Sequence, residues 1–143
     1  MYSEDGIEIM AGETDLAELV RAMKPKMRQI ELVFCTIPWK DLPEIPLDPL
    51  LLFKELEGVT MVMPKREAKS LGLPTETTWS WIELTVHSSL NAVGFLSIIS
   101  KTLADAGISL NVISAYYHDH LFVPDDRAKE AIKVLEKLSK EGI

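Results

Sequence analysis

The chain has 143 residues, 47% of them hydrophobic and 26% charged, with a formal net charge of −7. That length makes one ordinary domain or two very small ones, with interior enough to fold without staples, and the composition is globular. The acidity argues against a nucleic-acid surface, which needs clustered Lys and Arg, and no apolar run approaches the ~20 residues of a membrane span. Cys35 is the single cysteine, so an intrachain disulfide is excluded and a reducing cytoplasm fits. It lies in an apolar run and reads as a small core residue, not a nucleophile. Met1–Asp5 is acidic and lacks a signal-peptide pattern.

Ile7–Met10 is a short strand candidate. Thr14 is a plausible N-cap for a helix in which Leu16, Leu19, Val20 and Met23 share one face, and Pro25 stops the pattern. Gln29–Ile37 is a dense apolar run typical of a buried strand. Pro38–Pro46 holds Pro38, Pro43 and Pro46, which remove donors and fix φ, so this stretch is predicted as a loop. Leu50–Met63 reads as two strands around a Glu57-Gly58 turn, followed by a short helix over Lys65–Leu71, opened by Pro64 and closed by Gly72. Residues 72–77 join the halves.

The second half starts with a strand in which Trp79, Trp81, Glu83, Thr85 and His87 face one side and Ser80, Ile82, Leu84 and Val86 the other. A polar turn leads into a helix with Phe95, Leu96, Ile99, Leu103 and Ala106 on its apolar face, ended by Gly107. Ile108–Tyr117 and His120–Val123 are the next strands, and Asp125 is expected to cap a last helix buried through Ala128, Ile132, Leu135 and Leu138. Val62-Met63-Pro64, with Ala68 and Lys69 behind it, lies over Phe122-Val123-Pro124, Ala128 and Lys129 at an offset of 60. This faint repeat supports two copies of one βαββαβ unit, the split-βαβ topology with helices on one face of an antiparallel sheet.

Little in the chain suggests catalysis. There is no nucleophile elbow, phosphate loop or zinc-ribbon spacing. His118 and His120 point to one side of a strand with Asp119 between them. A metal-assisted enzyme built on them and His87 is the third function class, but the string reads as a hairpin tip, where Asp and His are favoured. Neither a metal nor a cofactor is expected. Trp79, Trp81, Tyr116 and Tyr117 fit a seam between halves, a dimer contact or plain core packing.

Two strings carry a family likeness: Val86-His87-Ser88-Ser89-Leu90-Asn91-Ala92-Val93-Gly94, and Ala115-Tyr116-Tyr117-His118-Asp119-His120-Leu121-Phe122-Val123-Pro124. With them, residues 79–138 resemble ACT domains of the aspartokinase-like type. The first half, through Gly12-Glu13-Thr14-Asp15-Leu16, Met23–Met27 and Glu57-Gly58-Val59-Thr60, is similar to the degenerate ACT-like domain that precedes it in a family of uncharacterised bacterial and archaeal proteins. The resemblance implies an α+β protein of two ferredoxin-like ACT units, residues 1–73 and 74–143. It also implies non-catalytic binding of an amino acid or similar zwitterion, a regulatory output and a homodimer. The alternative is an ACT-fold interaction module that binds no ligand.

The resemblance further implies a ligand site at Ser88, Ser89, Leu90, Asn91, Ala92, Val93 and Gly94, with Asn111, Val112, Ile113 and Ser114 on a neighbouring strand. The physics of the turn is independent of it: a helix N-terminus presents unpaired N–H groups and partial positive charge, which suit a carboxylate. Capping by Ser89 or Asn91 is the other reading of the same residues. One departure stands out: many relatives carry an acid where this chain has Asn91, which accepts a hydrogen bond but has no charge.

Overall fold

A computed structural model of the chain describes residues 12–44 and 48–143; the strand expected at Ile7–Met10 lies outside them. Helix α1 spans Leu16–Arg21, and its N-cap is Asp15, not Thr14: Asp15 Oδ1 accepts from the Glu18 N–H at 2.9 Å. Strand β1 runs Pro25–Ile37, longer than expected, with a bulge between Arg28 and Glu31. The proline-rich stretch is not all loop, since Trp39–Glu44 winds into a 3-10 helix. Pro38 stands just ahead of its first turn, where its carbonyl accepts from the Asp41 N–H at 3.0 Å and its missing donor would have no helical partner. The hairpin of β2 (Leu51–Lys54) and β3 (Val59–Pro64) and the short α2 (Lys65–Ser70) follow as predicted.

The second half holds β4 (Trp79–Leu84), α3 (Phe95–Asp105), β5 (Asn111–Ser114), β6 (Asp119–Pro124) and α4 (Ala128–Glu141). Strand β5 is shorter than the predicted Ile108–Tyr117 because Ala115 and His118 close a turn, the Ala115 N–H donating to the His118 carbonyl at 3.0 Å. Asp125 does not cap α4. Its carboxylate accepts from Thr78 and from Ser80 (2.6 Å), tying the start of β4 to a 3-10 turn at Asp125–Arg127.

The six strands of the described residues form one antiparallel sheet in the order β2-β3-β1-β4-β6-β5. The repeat is visible in it. Strands β3 and β6 share one burial pattern, with three consecutive buried residues before the proline, and Pro64 and Pro124 adopt the same backbone conformation ahead of their helices. Leu32 faces Pro64 across β1–β3 as Trp79 faces Pro124 across β4–β6. In place of the 11-residue α3, the described residues of the first unit hold the six-residue 3-10 helix. Strands β1 and β4 pair at the seam, so each first strand also completes the other unit's sheet.

The helix face carries two cores. The larger packs Ile82, Leu84, Phe95, Ile99, Leu121 and Leu135 with Leu19, Val20 and Met23 around α1, so α1 lies on the second unit. The smaller holds Val33, Val59, Met61, Met63 and Ala68. On the helix-free face, Leu32, Val62 and Phe122 are almost fully buried under Phe34, Trp79, Trp81, Leu51 and Ile113. Leu51 and Ile113 sit on the two outermost strands. At ~4.8 Å per strand, the edges of a flat six-stranded sheet would be about 24 Å apart. Sharing one cluster therefore requires the sheet to curl, as strand twist favours. The helix-free face thus covers itself at the seam, with Trp79 and Trp81 inside; Tyr116 and Tyr117 stay exposed on the β5–β6 turn.

Candidate functional site

The loop from β4 to α3 is clamped from both sides by the segment around α1. The Thr85 N–H donates to the Met23 carbonyl at 2.8 Å. Glu13 bridges the turn in parallel: its N–H donates to the His87 carbonyl (2.8 Å) and its carbonyl accepts from the Ser89 N–H (3.0 Å). Gly12 has φ +93°, and a Cβ there would stand 2.6 Å from Ser89 N and 2.7 Å from Ser88 C. Both the backbone conformation and the contact demand glycine. Gly12→Ala is therefore expected to cost about 2 kcal/mol or more, from strain and overpacking together, read as a lower urea midpoint with an unchanged slope.

Between this loop, the start of α3 and the end of β5 lies a cavity of ≈ 180 Å³. Ser88, Ser89, Leu90, Ala92 and Gly94 line it from the loop, and Ser114 and Ala115 from the strand side. Gly94 is the N-cap of α3 (φ 92°) and supplies no side-chain cap. The first intrahelical donor is the Ile98 N–H, to the Gly94 carbonyl at 3.1 Å. The N–H groups of Phe95, Leu96 and Ser97, all lining residues, therefore have no acceptor within the helix. Neither Ser89 nor Asn91 caps α3. Ser89 Oγ instead accepts from the Asn91 N–H at 3.0 Å and shapes the turn.

At the other wall sits Asp119, a carboxylate only 5% exposed. Its Oδ2 accepts from Ser88 Oγ at 2.9 Å and its Oδ1 from Ser114 Oγ at 2.7 Å. These hydroxyls fix the carboxylate and join the loop to the β5–β6 hairpin. Sequence reasoning placed Asp119 at a hairpin tip, yet it opens β6, opposite Ser114. Of the eleven positions expected to bind ligand, Ser88, Ser89, Leu90, Ala92, Gly94 and Ser114 meet at this cavity, while Asn91, Val93, Asn111, Val112 and Ile113 do not line it. The side chains of Asn91 and Val93 are exposed. Phe95, Leu96, Ser97, Ala115 and Asp119 are the lining residues not anticipated. The period-2 alternation His118-Asp119-His120 was the signal for Asp119, because it puts the acid on the face opposite the two imidazoles.

The histidines do not gather. His118 and His120 have ring centroids 6.4 Å apart, and His87 lies against Tyr117 at 5.1 Å. Among the described residues no group of three His, Cys, Asp or Glu can hold a metal ion. His120 lies on the helix-free face, where its Nδ1 accepts the Trp81 Nε1–H at 2.9 Å. Glu83, paired with Arg28 at 2.9 Å, stands across from it. Burial pushes the His120 imidazole below its ordinary value of about 6.5; Glu83 and Asp119 pull it up, and His118 and Arg28 push it down. A depressed folded pKa means that the unfolded chain takes up the proton first. This part of the stability is present above about pH 6.5 and lost as pH falls through the folded value. The urea midpoint is expected to drop between pH 7.5 and 5.5, and to drop less in His120→Asn, which keeps an acceptor near Nδ1.

Two family models, each described as an ACT domain, match residues 11–80 and 76–137. The chain belongs to the ACT domain family. Its two ACT domains stand in tandem, and the matches meet in the segment leading into β4, the strand through which the second unit pairs with β1 of the first. A Vibrio cholerae protein of unknown function, described as a possible transport protein, has a crystal structure 40% identical in sequence. The match covers 82% of this chain and 91% of that one, with a TM-score of 0.73. The regulatory subunit of aspartate kinase from Thermus flavus shares the fold at 8% identity and a TM-score of 0.62, covering 82% of this chain and 97% of that one. An Agrobacterium tumefaciens protein shares it at 13% and 0.59, covering 80% and 87%. A search of curated proteins returned no match. No helix among the described residues is long and apolar enough to cross a membrane.

Proposed function

We propose that this tandem ACT protein is a non-catalytic regulator that binds an amino acid with a neutral side chain in the cavity between α3 and β5. The observation that carries this reading is the pairing, in one small cavity, of an uncapped helix N-terminus with the buried carboxylate of Asp119. The ligand's α-carboxylate would accept from the N–H groups at the start of α3, where the helix dipole favours negative charge. Its ammonium would meet Asp119, so the charge that Asn91 lacks comes from another strand. A volume of ≈ 180 Å³ is room for about six waters at ~30 Å³ each, and so for a ligand of about six to nine heavy atoms. With one carboxylate and no Lys or Arg in the wall, a second ligand charge would find no partner.

Binding would draw the loop, the hairpin and the Gly12–Glu13 strap together and shift a population of conformers, which suffices for a regulatory output. The site operates in the cytoplasm on this reading. The repeat supports one site per chain. Lys54 and Val59 stand, at the offset of 60, where Ser114 and Asp119 stand, and Val59 is fully buried in apolar packing. Calorimetric titration is expected to give one ligand per chain.

Thermal unfolding against a panel of amino acids at millimolar concentration tests the reading. A ligand at 100 times its Kd adds ~2.7 kcal/mol, or about 5–11 °C at this chain length. Neutral amino acids are expected to raise Tm and Asp, Glu, Lys and Arg are not; no shift for any amino acid would overturn the proposal. The homodimer is a second part of it, favoured by the edge strand β2, where Leu52 and Phe53 are exposed. Sedimentation of Phe53→Lys against the parent chain checks that part.

A further inference from the structure

The curl of the sheet creates a second concavity, on the face away from the helices. Leu50 and Leu51, at the start of β2, stand across from Ile113 and Ala115, at the end of β5, over a floor of Trp81 and Phe122. Its volume is ≈ 170 Å³. The wall is apolar except for His120. Because Nδ1 of His120 accepts from the Trp81 indole, the neutral imidazole carries its proton on Nε2, and this leaves one hydrogen-bond donor at an otherwise apolar wall. Water against such a wall finds few partners, and an apolar space of ~150 Å³ is large enough for a benzene-sized guest.

We propose that this concavity is a binding site for an uncharged single-ring aromatic molecule with one hydrogen-bond acceptor, of the size of phenol. Trp81 offers the face and edge that a ring packs against, with the nearly buried Phe122 beneath it, and His120 supplies the donor for its oxygen. Neither Lys, Arg, Asp nor Glu lines the wall, so a charged substituent would be desolvated without a partner. The site is separate from the cavity beside α3. The two lie on opposite faces of the sheet and share only Ala115, at the end of β5.

Phenol titrated into the whole chain, followed by NMR of the tryptophan indole N–H signals, tests this. The Trp81 signal is assigned by its loss in Trp81→Phe. It is expected to shift saturably with phenol in the millimolar range normal for so small a ligand, while the Trp39 signal stays still. Benzoate and benzylammonium are expected to give no saturable shift. Ile113→Trp, which fills the space, is expected to weaken phenol binding about tenfold or more. Should that variant fail to fold, Leu50→Asp, at a position 43% exposed, places a charge at the mouth and is expected to act the same way. A shift that rises linearly without saturating, equal binding of the charged analogues, or unchanged binding in the folded variant would overturn the assignment.

Discussion

Phe122→Ala is expected to lower the unfolding free energy by about 3–5 kcal/mol, a large share of the ~5–15 kcal/mol that holds a domain of ordinary size together. Phe122 is 1% exposed and belongs to the second unit, but its neighbours come from both. Its ring meets Phe34 of β1 edge-on, with centroids 5.6 Å apart, and Phe34 meets Trp79 in the same manner at 5.6 Å. Leu32 and Val62 of the first unit complete the cluster. The void left by alanine would therefore open between the units and weaken both at once. Urea unfolding monitored by tryptophan fluorescence and by far-ultraviolet circular dichroism is expected to give coincident single transitions in the parent and the variant. Leu56→Ala, at a position 95% exposed, serves as the control and is expected to cost well under 1 kcal/mol. A loss of only about 1 kcal/mol in Phe122→Ala would mean that the curled face contributes little and the helix-side cores carry the fold.

The same cluster shows which parts of this architecture are written locally. The hairpin-to-helix unit repeats at an offset of 60 because its punctuation is local: an apolar strand, a proline that ends the strand and opens the helix, and a small buried alanine four residues on. Ala68 and Ala128 are both buried, as that pattern predicts. Features decided by distant residues are not written this way. Asp125 sits where a helix cap belongs, yet Thr78 and Ser80, 47 and 45 residues away in sequence, compete successfully for its carboxylate. The face of α1 was legible, but not that its apolar stripe docks on the second unit's core. Strand β5 is shorter than Ile108 and Tyr117 suggest because the Ile108 N–H still closes α3, donating to the Leu103 carbonyl at 2.9 Å, while the turn fixed by Ala115 and His118 ends the pairing at the other side. For the cavity, the turn ahead of α3 was readable from its Ser-Ser-Leu-Asn composition, since helix starts are local. Its electrostatic partner was not, because the burial of Asp119 depends on Ser88, 31 residues earlier, closing over it.

Asp119→Asn is expected to abolish ligand-induced stabilisation while leaving the chain folded. The carboxamide matches the carboxylate in size, and its oxygen can accept from one serine hydroxyl. The other hydroxyl can rotate to accept from the new NH₂, since a serine both donates and accepts. The stability cost is therefore expected to be about 1 kcal/mol, the worth of one weakened hydrogen bond. The ligand's ammonium suffers more, because it exchanges a buried charge partner for a neutral amide. A loss of about 100-fold in affinity, or ~2.7 kcal/mol, is expected, enough to erase a thermal shift at millimolar ligand. Asp119→Ala differs in kind. It strands the hydroxyls of Ser88 and Ser114, the first of them 6% exposed, and is expected to destabilise the chain itself by about 2 kcal/mol or more. The two variants separate the roles of the residue. If Asp119 served only to tie the loop to the hairpin, Asp119→Asn would lower Tm slightly and keep the full ligand-induced rise. If it holds the ammonium, the rise disappears at a Tm close to that of the parent chain, and Asn91→Ala, exposed and outside the cavity wall, leaves the rise intact.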